Sequence, residues 1–266
     1  MSKFAFAFSK NKENIVDFRG SDIHPLTACY GEVFEGFLFD ANVSKGRCSP
    51  GYKLEEYFLT KAVVAMKKNI GNEEKAARNV INIFYQTFQP KNANNWFGLN
   101  LRNEALGRSP PWYSVLPWRA RSKESYADVI KQAAEKENGE YGLNCGVNGG
   151  WTFCGPAIKE KIDIEVKRLY QTHTSIANNG YIRTNAKGGD IVCSALVNEN
   201  NDWRWLVTSG FHRAAILAGI GCEKITIRVN LIVKLGESAY WPHVVDGLYT
   251  EEEGRSIFYK LFDGSR

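Results

Sequence analysis

The chain has 266 residues, with 34 lysine and arginine residues against 29 aspartate and glutamate residues and a formal net charge of +5. With 44% hydrophobic and 24% charged residues, it is long and apolar enough for one large or two modest cores, which excludes a disordered or collagen-like chain. The basic excess is mild and spread out, so it permits nucleic acid as a partner without favouring it, and no apolar run reaches the length that spans a bilayer.

Residues 4–8, Phe-Ala-Phe-Ala-Phe, are too short for a signal-peptide core and run into Lys10, Lys12 and Glu13, so the expected address is the cytoplasm. The six cysteines, at 29, 48, 145, 154, 193 and 222, lack CxxC spacing and scaffold density and read as isolated reduced thiols. A zinc site built from Cys145, Cys154 and a histidine stays open, without a local motif.

The first fifty residues read as irregular or short-strand structure around Val33-Phe34 and Phe37-Leu38-Phe39. Helical periodicity over 52–70 places Leu54, Tyr57, Phe58, Ala62, Val63 and Met66 on one face. A second helix over 72–88 opens on Asn72 as cap and turns Val80, Ile83, Phe84 and Phe88 inward, so the two form a helical hairpin. Residues 89–122 are rich in Trp, Pro and Asn. Pro110, Pro111 and Pro117 exclude a regular helix or central strand there, leaving an aromatic loop that plugs the core or walls a substrate site. A charged helix over 123–138 follows, and the glycine-rich 139–155 is the natural hinge, dividing the chain into 1–155 and 156–266.

Beyond it, apolar positions 162, 166, 169, 170, 173, 176 and 177 keep helical spacing until Asn179-Gly180 stops the helix. Arg168, Gln171 and Ser175 share the other face. Strands are predicted over 190–197, 203–208 and 224–233, the second with Trp203, Trp205 and Val207 on one buried face. A capping box at Thr250 opens a last helix packed through Ile257, Phe258, Leu261 and Phe262. Between the second and third of these strands, Thr208-Ser209-Gly210-Phe211-His212-Arg213-Ala214-Ala215 turns a strand into a helix. A helix N-terminus offers unpaired amides and partial positive charge, and His212 and Arg213 add to both, which makes this turn a candidate phosphate cradle.

The segment resembles the Gly-x-His-Arg-x-x-Ala signature of the ParB/sulfiredoxin-like superfamily, and the order of flanking elements agrees over about residues 160–235. The resemblance implies an α+β chain whose 156–266 part binds a nucleotide, beside a helical and loop-rich 1–155 part on the substrate side. It further implies that Arg168, Gln171 and Ser175 form a second wall of the nucleotide pocket, with Ser209, Gly210, His212 and Arg213 at the phosphates. Phe211 stands where sulfiredoxin carries its cysteine, which removes that thiol chemistry. The sequence as given closes on the last helix, so the DNA-binding helices of partition proteins are not expected. The remaining enzymatic reading is a kinase that transfers phosphate from ATP or another nucleotide, with Mg²⁺, to a small-molecule hydroxyl, with Asp190 as base or metal ligand. The rival is a non-catalytic regulator that keeps the cradle for a nucleotide or for DNA phosphates. Trp241-Pro242-His243 is a candidate for the pocket mouth.

Overall fold

In the computed structural model, residues 15–30, 36–183 and 189–265 are described. The 4–8 segment, Val33-Phe34 and Gly188 lie outside them. Strands β1 (Ile15–Asp17), β2 (Gly36–Asn42), β3 (Gly46–Cys48), β4 (Tyr52–Lys53), β5 (Val192–Val197), β6 (Trp203–Ser209) and β7 (Lys224–Lys234) form one mixed seven-stranded sheet in the order β1-β2-β7-β5-β6-β3-β4. With it go the helices α1 (Phe58–Lys68), α2 (Glu73–Thr87), α3 (Ala93–Trp96), α4 (Glu104–Gly107), α5 (Lys123–Gly139), α6 (Lys159–Asn179), α7 (Phe211–Ile220), α8 (Pro242–Val245) and α9 (Glu251–Asp263). The chain is therefore mixed α and β. Among the described residues, no helix is long and apolar enough to cross a membrane.

The sheet runs across the expected division near residue 155. β2 pairs with β7 and β3 pairs with β6, so amino-terminal strands close both sides of the β7-β5-β6 unit. Left alone, those two edges would present rows of unpaired backbone amides and carbonyls. One apolar cluster accordingly runs from Phe18 to Phe262 across the expected border.

β6 also departs from simple alternation. Trp205, Leu206 and Val207 are all buried, because a strand with neighbours on both sides and α7 and α9 packed against it has no wet face.

The helical hairpin forms as its apolar spacing demands. All six residues expected inside on the first helix are buried, although the helix proper starts at Phe58, after a short 3₁₀ turn from Leu54 to Glu56. On α2 the inward stripe is Ala77, Ile81, Phe84 and Tyr85, whereas Ile83 is exposed, and the Asn72 side chain makes no cap bond. Phe58 and Phe84 stack at 3.8 Å and 3°, locking the two helices together. α7 lies close against α1. A Cβ on Gly219 would stand 2.6 Å from Val63 Cγ1, so only a glycine allows this approach. The Thr250–Glu253 capping box is present, and α9 buries the four residues predicted for it.

Candidate functional site

The turn from β6 into α7 is made by Gly210, whose φ of 81° is left-handed and favours a residue without a Cβ. A Cβ there would stand 2.9 Å from the Asp190 carbonyl oxygen, so the turn nests directly against the chain entering β5. No side chain caps α7, which leaves its first amides without side-chain acceptors. After Arg213 the helix buries Ala214, Ala215, Ile216 and Leu217, an apolar run that sinks the helix body into the core and leaves the first turn at the surface.

That first turn opens on a cleft of about 580 Å³. Of the residues expected to hold a nucleotide, Arg168, Gln171, Ser209, Gly210, His212 and Arg213 line it together. Ser175 does not; it is exposed farther along α6 and its carbonyl accepts from Asn179. Arg213 has no hydrogen-bond or ion-pair partner among the described residues.

Asp190 is not brought to the cleft. Its carboxylate accepts from Arg183 at 2.6 and 3.3 Å, and the Arg228 Nε is 3.4 Å away, near enough for charge pairing but not aligned as a hydrogen bond. The aspartate precedes β5, and those two guanidiniums balance its charge. His243 is also structural. It is buried between the Arg121 carbonyl oxygen and Asp246, 2.7 Å from each.

The residue that sequence reasoning missed is Glu165. It lies beneath the cleft floor, fully buried, with Oε2 3.0 Å from His212 Nε2 and Oε1 2.8 Å from Lys161 Nζ and 3.1 Å from Arg168 Nη1. Thr152 Oγ1 adds a longer contact at 3.4 Å. Burial pushes the Glu165 carboxyl up, but the hydrogen bond from His212 and the charges of His212, Lys161 and Arg168 together outweigh it and hold the group far below the usual glutamate range. The available signal was the Lys161–Glu165–Arg168 spacing of i, i+4 and i+3. A hydropathy stripe counts such residues as solvent-facing, and only the packing of α6 against α2 and α7 buries them.

Arg168 is shared between Glu165 and Glu137 of α5, 3.1 Å from each, so its charge steadies the floor as well as facing the cleft. An ionised Glu165 can only accept, so His212 Nε2 carries a hydrogen and Nδ1 is the ring nitrogen left without a hydrogen-bond partner among the described residues. A carboxylate that fixes the tautomer and orientation of an imidazole beside an uncapped helix N-terminus is an arrangement suited to proton transfer.

Among the described residues, Glu137 is the one carboxylate on the cleft lining. Among the described residues, no three His, Cys, Asp or Glu side chains converge as a metal cage, and the six cysteines are separate free thiols.

No family model, curated protein or solved structure matches this chain, so the chemistry of the cleft rests on its own geometry.

Proposed function

We propose that this cleft binds the phosphates of a nucleotide and transfers one of them to a hydroxyl of a small molecule. The observation that carries the reading is the convergence, on one cavity, of the uncapped α7 N-terminus, the left-handed Gly210 and the unpartnered Arg213. The strand, glycine turn and helix, with α6 alongside, support the ParB/sulfiredoxin-like resemblance.

The residues fit a nucleotide: three first-turn amides and a guanidinium face where a polyanion would lie. They also fit Mg²⁺ carried in by that nucleotide, because this ion keeps several waters and commonly takes only one or two protein carboxylates. Glu137, the lining carboxylate that also pairs with Arg168, would hold it. When bound, Mg²⁺ neutralises charge on the phosphates.

In the proposed reaction the acceptor hydroxyl loses its proton to His212 Nδ1 while its oxygen forms a bond to the terminal phosphorus. The bond from that phosphorus to the bridging oxygen breaks, and the nucleoside diphosphate leaves with that electron pair. Glu165 steadies the imidazolium that forms, and His212 takes the part of base expected of Asp190 from sequence. Arg213 and the α7 amides hold the terminal phosphate, and Arg168 and Gln171 wall the site.

The test is isothermal titration with ATP, ADP and CTP, followed by phosphorus NMR of turnover with candidate alcohols. Absence of binding at millimolar nucleotide removes the proposal. Binding without turnover, together with DNA affinity that falls steeply with salt, would favour the regulator instead. Arg213→Ala should weaken nucleotide binding by about ten- to a hundredfold, the usual worth of a charge-assisted hydrogen bond, and leave stability nearly unchanged because the side chain has no hydrogen-bond or ion-pair partner among the described residues.

A further inference from the structure

A second cleft, of about 480 Å³, adjoins the first and shares Ile130, Trp151, Phe153, Thr208 and Phe211 with it as a common wall. Its far side is built by the aromatic loop, through Trp96, Leu116, Arg119 and Arg121, and by Tyr126 of α5. Neither arginine side chain has a hydrogen-bond or ion-pair partner among the described residues. Burial, with the neighbouring Arg121 charge adding to it, holds the Arg119 guanidinium below its usual range.

Arg119 is half-buried and Arg121 exposed, and among the described residues no carboxylate lines this cavity, so both guanidiniums are left open to an anion. The loop that carries them is fixed in place: His243 holds the Arg121 carbonyl at 2.7 Å and donates its own amide to Pro117, while Tyr249 donates its hydroxyl to the Val115 carbonyl at 2.7 Å. The cavity volume suits a small ligand, and flat rings line it.

We infer that this second cleft binds a small organic carboxylate with a ring-sized apolar body, its carboxylate held by Arg119 and Arg121 and its ring against Trp151, Phe153 and Phe211. A planar guanidinium takes a carboxylate through paired N–H donors, which accounts for arginine rather than lysine here. The common wall places such a ligand beside the α7 turn. Its role as phosphate acceptor rests on the reading above, whereas its binding does not.

The experiment is calorimetric titration of the full chain with 4-hydroxyphenylacetate and with its neutral amide, using the wild type, Arg119→Ala, Arg119→Lys and Arg213→Ala. Saturable binding of the acid and not the amide is expected. Affinity should fall about tenfold or more in Arg119→Ala, recover only in part in Arg119→Lys, and stay unchanged in Arg213→Ala. Circular dichroism and thermal melts confirm that each variant is folded, and Arg121→Ala replaces Arg119→Ala if the latter is not. Equal binding of acid and amide, no saturable binding of either at millimolar concentration, or full affinity in the folded arginine-to-alanine variant overturns the inference. Nucleotide titration reads the first cleft separately: loss of ATP binding in Arg213→Ala with carboxylate binding intact assigns the two ligands to different clefts. Carboxylate binding in a protein that never binds nucleotide would sink the kinase reading alone.

Discussion

His212 in the first turn of α7 and Glu165 in the middle of α6 meet at 3.0 Å between Nε2 and Oε2, joining the surface turn to a carboxylate with no solvent exposure. Lys161 is 1% exposed and completes the balance of charge from the same helix.

Removing Glu165 should therefore be severe. Glu165→Ala strands Lys161 in an apolar interior, frees His212 and leaves Arg168 to Glu137 alone, and breaking a buried pair in this way typically costs about 3–5 kcal/mol. Chemical denaturation of the variant against the wild type measures it. Replacing Lys161 and Glu165 together with methionine and leucine should recover much of the loss, because no charge is then left alone.

The pH dependence of this group has a definite sign. The folded Glu165 carboxyl titrates below its unfolded value, so its contribution is fully present above the ordinary glutamate range and is lost as pH falls through the depressed folded value. Stability followed from neutral pH downward should thus decline in the acid range, and Glu165→Gln should flatten this part of the profile. A profile unchanged by the substitution would exclude the assignment.

Gly210 and Gly221 flank the same helix and make a controlled pair. Both have positive φ, 81° and 99°, but a Cβ on Gly210 meets the Asp190 carbonyl at 2.9 Å and one on Gly221 meets nothing within 4 Å. Each alanine should cost about 1–2 kcal/mol for the left-handed backbone. Only Gly210→Ala should also impair nucleotide binding, since it displaces the turn that aims the amides. Thermal melts and calorimetry on both variants separate the effects.

Gly155 controls the common wall from a distance. A Cβ there would sit 1.8 Å from the Tyr85 carbonyl oxygen, and its amide already donates to Phe88 at 2.9 Å. Gly155→Ala must push the chain carrying Trp151 to Phe153 off α2, at about 3 kcal/mol or more given that one side is backbone. Both clefts should lose affinity together, which titration with each ligand would reveal.

The cysteines give a check on burial itself. Cys48 and Cys193 are fully enclosed, and burial alone pushes the Cys154 thiol up to about 12. Cys29 is exposed. With a disulfide reagent near neutral pH, Cys29 should react first and Cys48, Cys154 and Cys193 only after denaturant is added; mass spectrometry identifies the sites.

The elements themselves were legible in the letters. Helical and alternating spacing marked the paired helices near residues 58–88, the long helix ending at Gly180, the three strands around the Gly210 turn and the capped last helix, because these depend on local periodicity and on residues that suit particular backbone angles. The Gly210 turn was legible for the same reason: a glycine before His212 and Arg213 at a strand-to-helix junction is a local arrangement. Tertiary structure decided what local pattern does not encode. It placed amino-terminal strands on both sides of the carboxy-terminal ones, since open edges need partners from anywhere in the chain. It paired Asp190 with arginines outside the cleft, and it buried Glu165 under His212, because a carboxylate reads as polar in sequence until the charges that compensate it are brought within 3 Å by the packing of two helices.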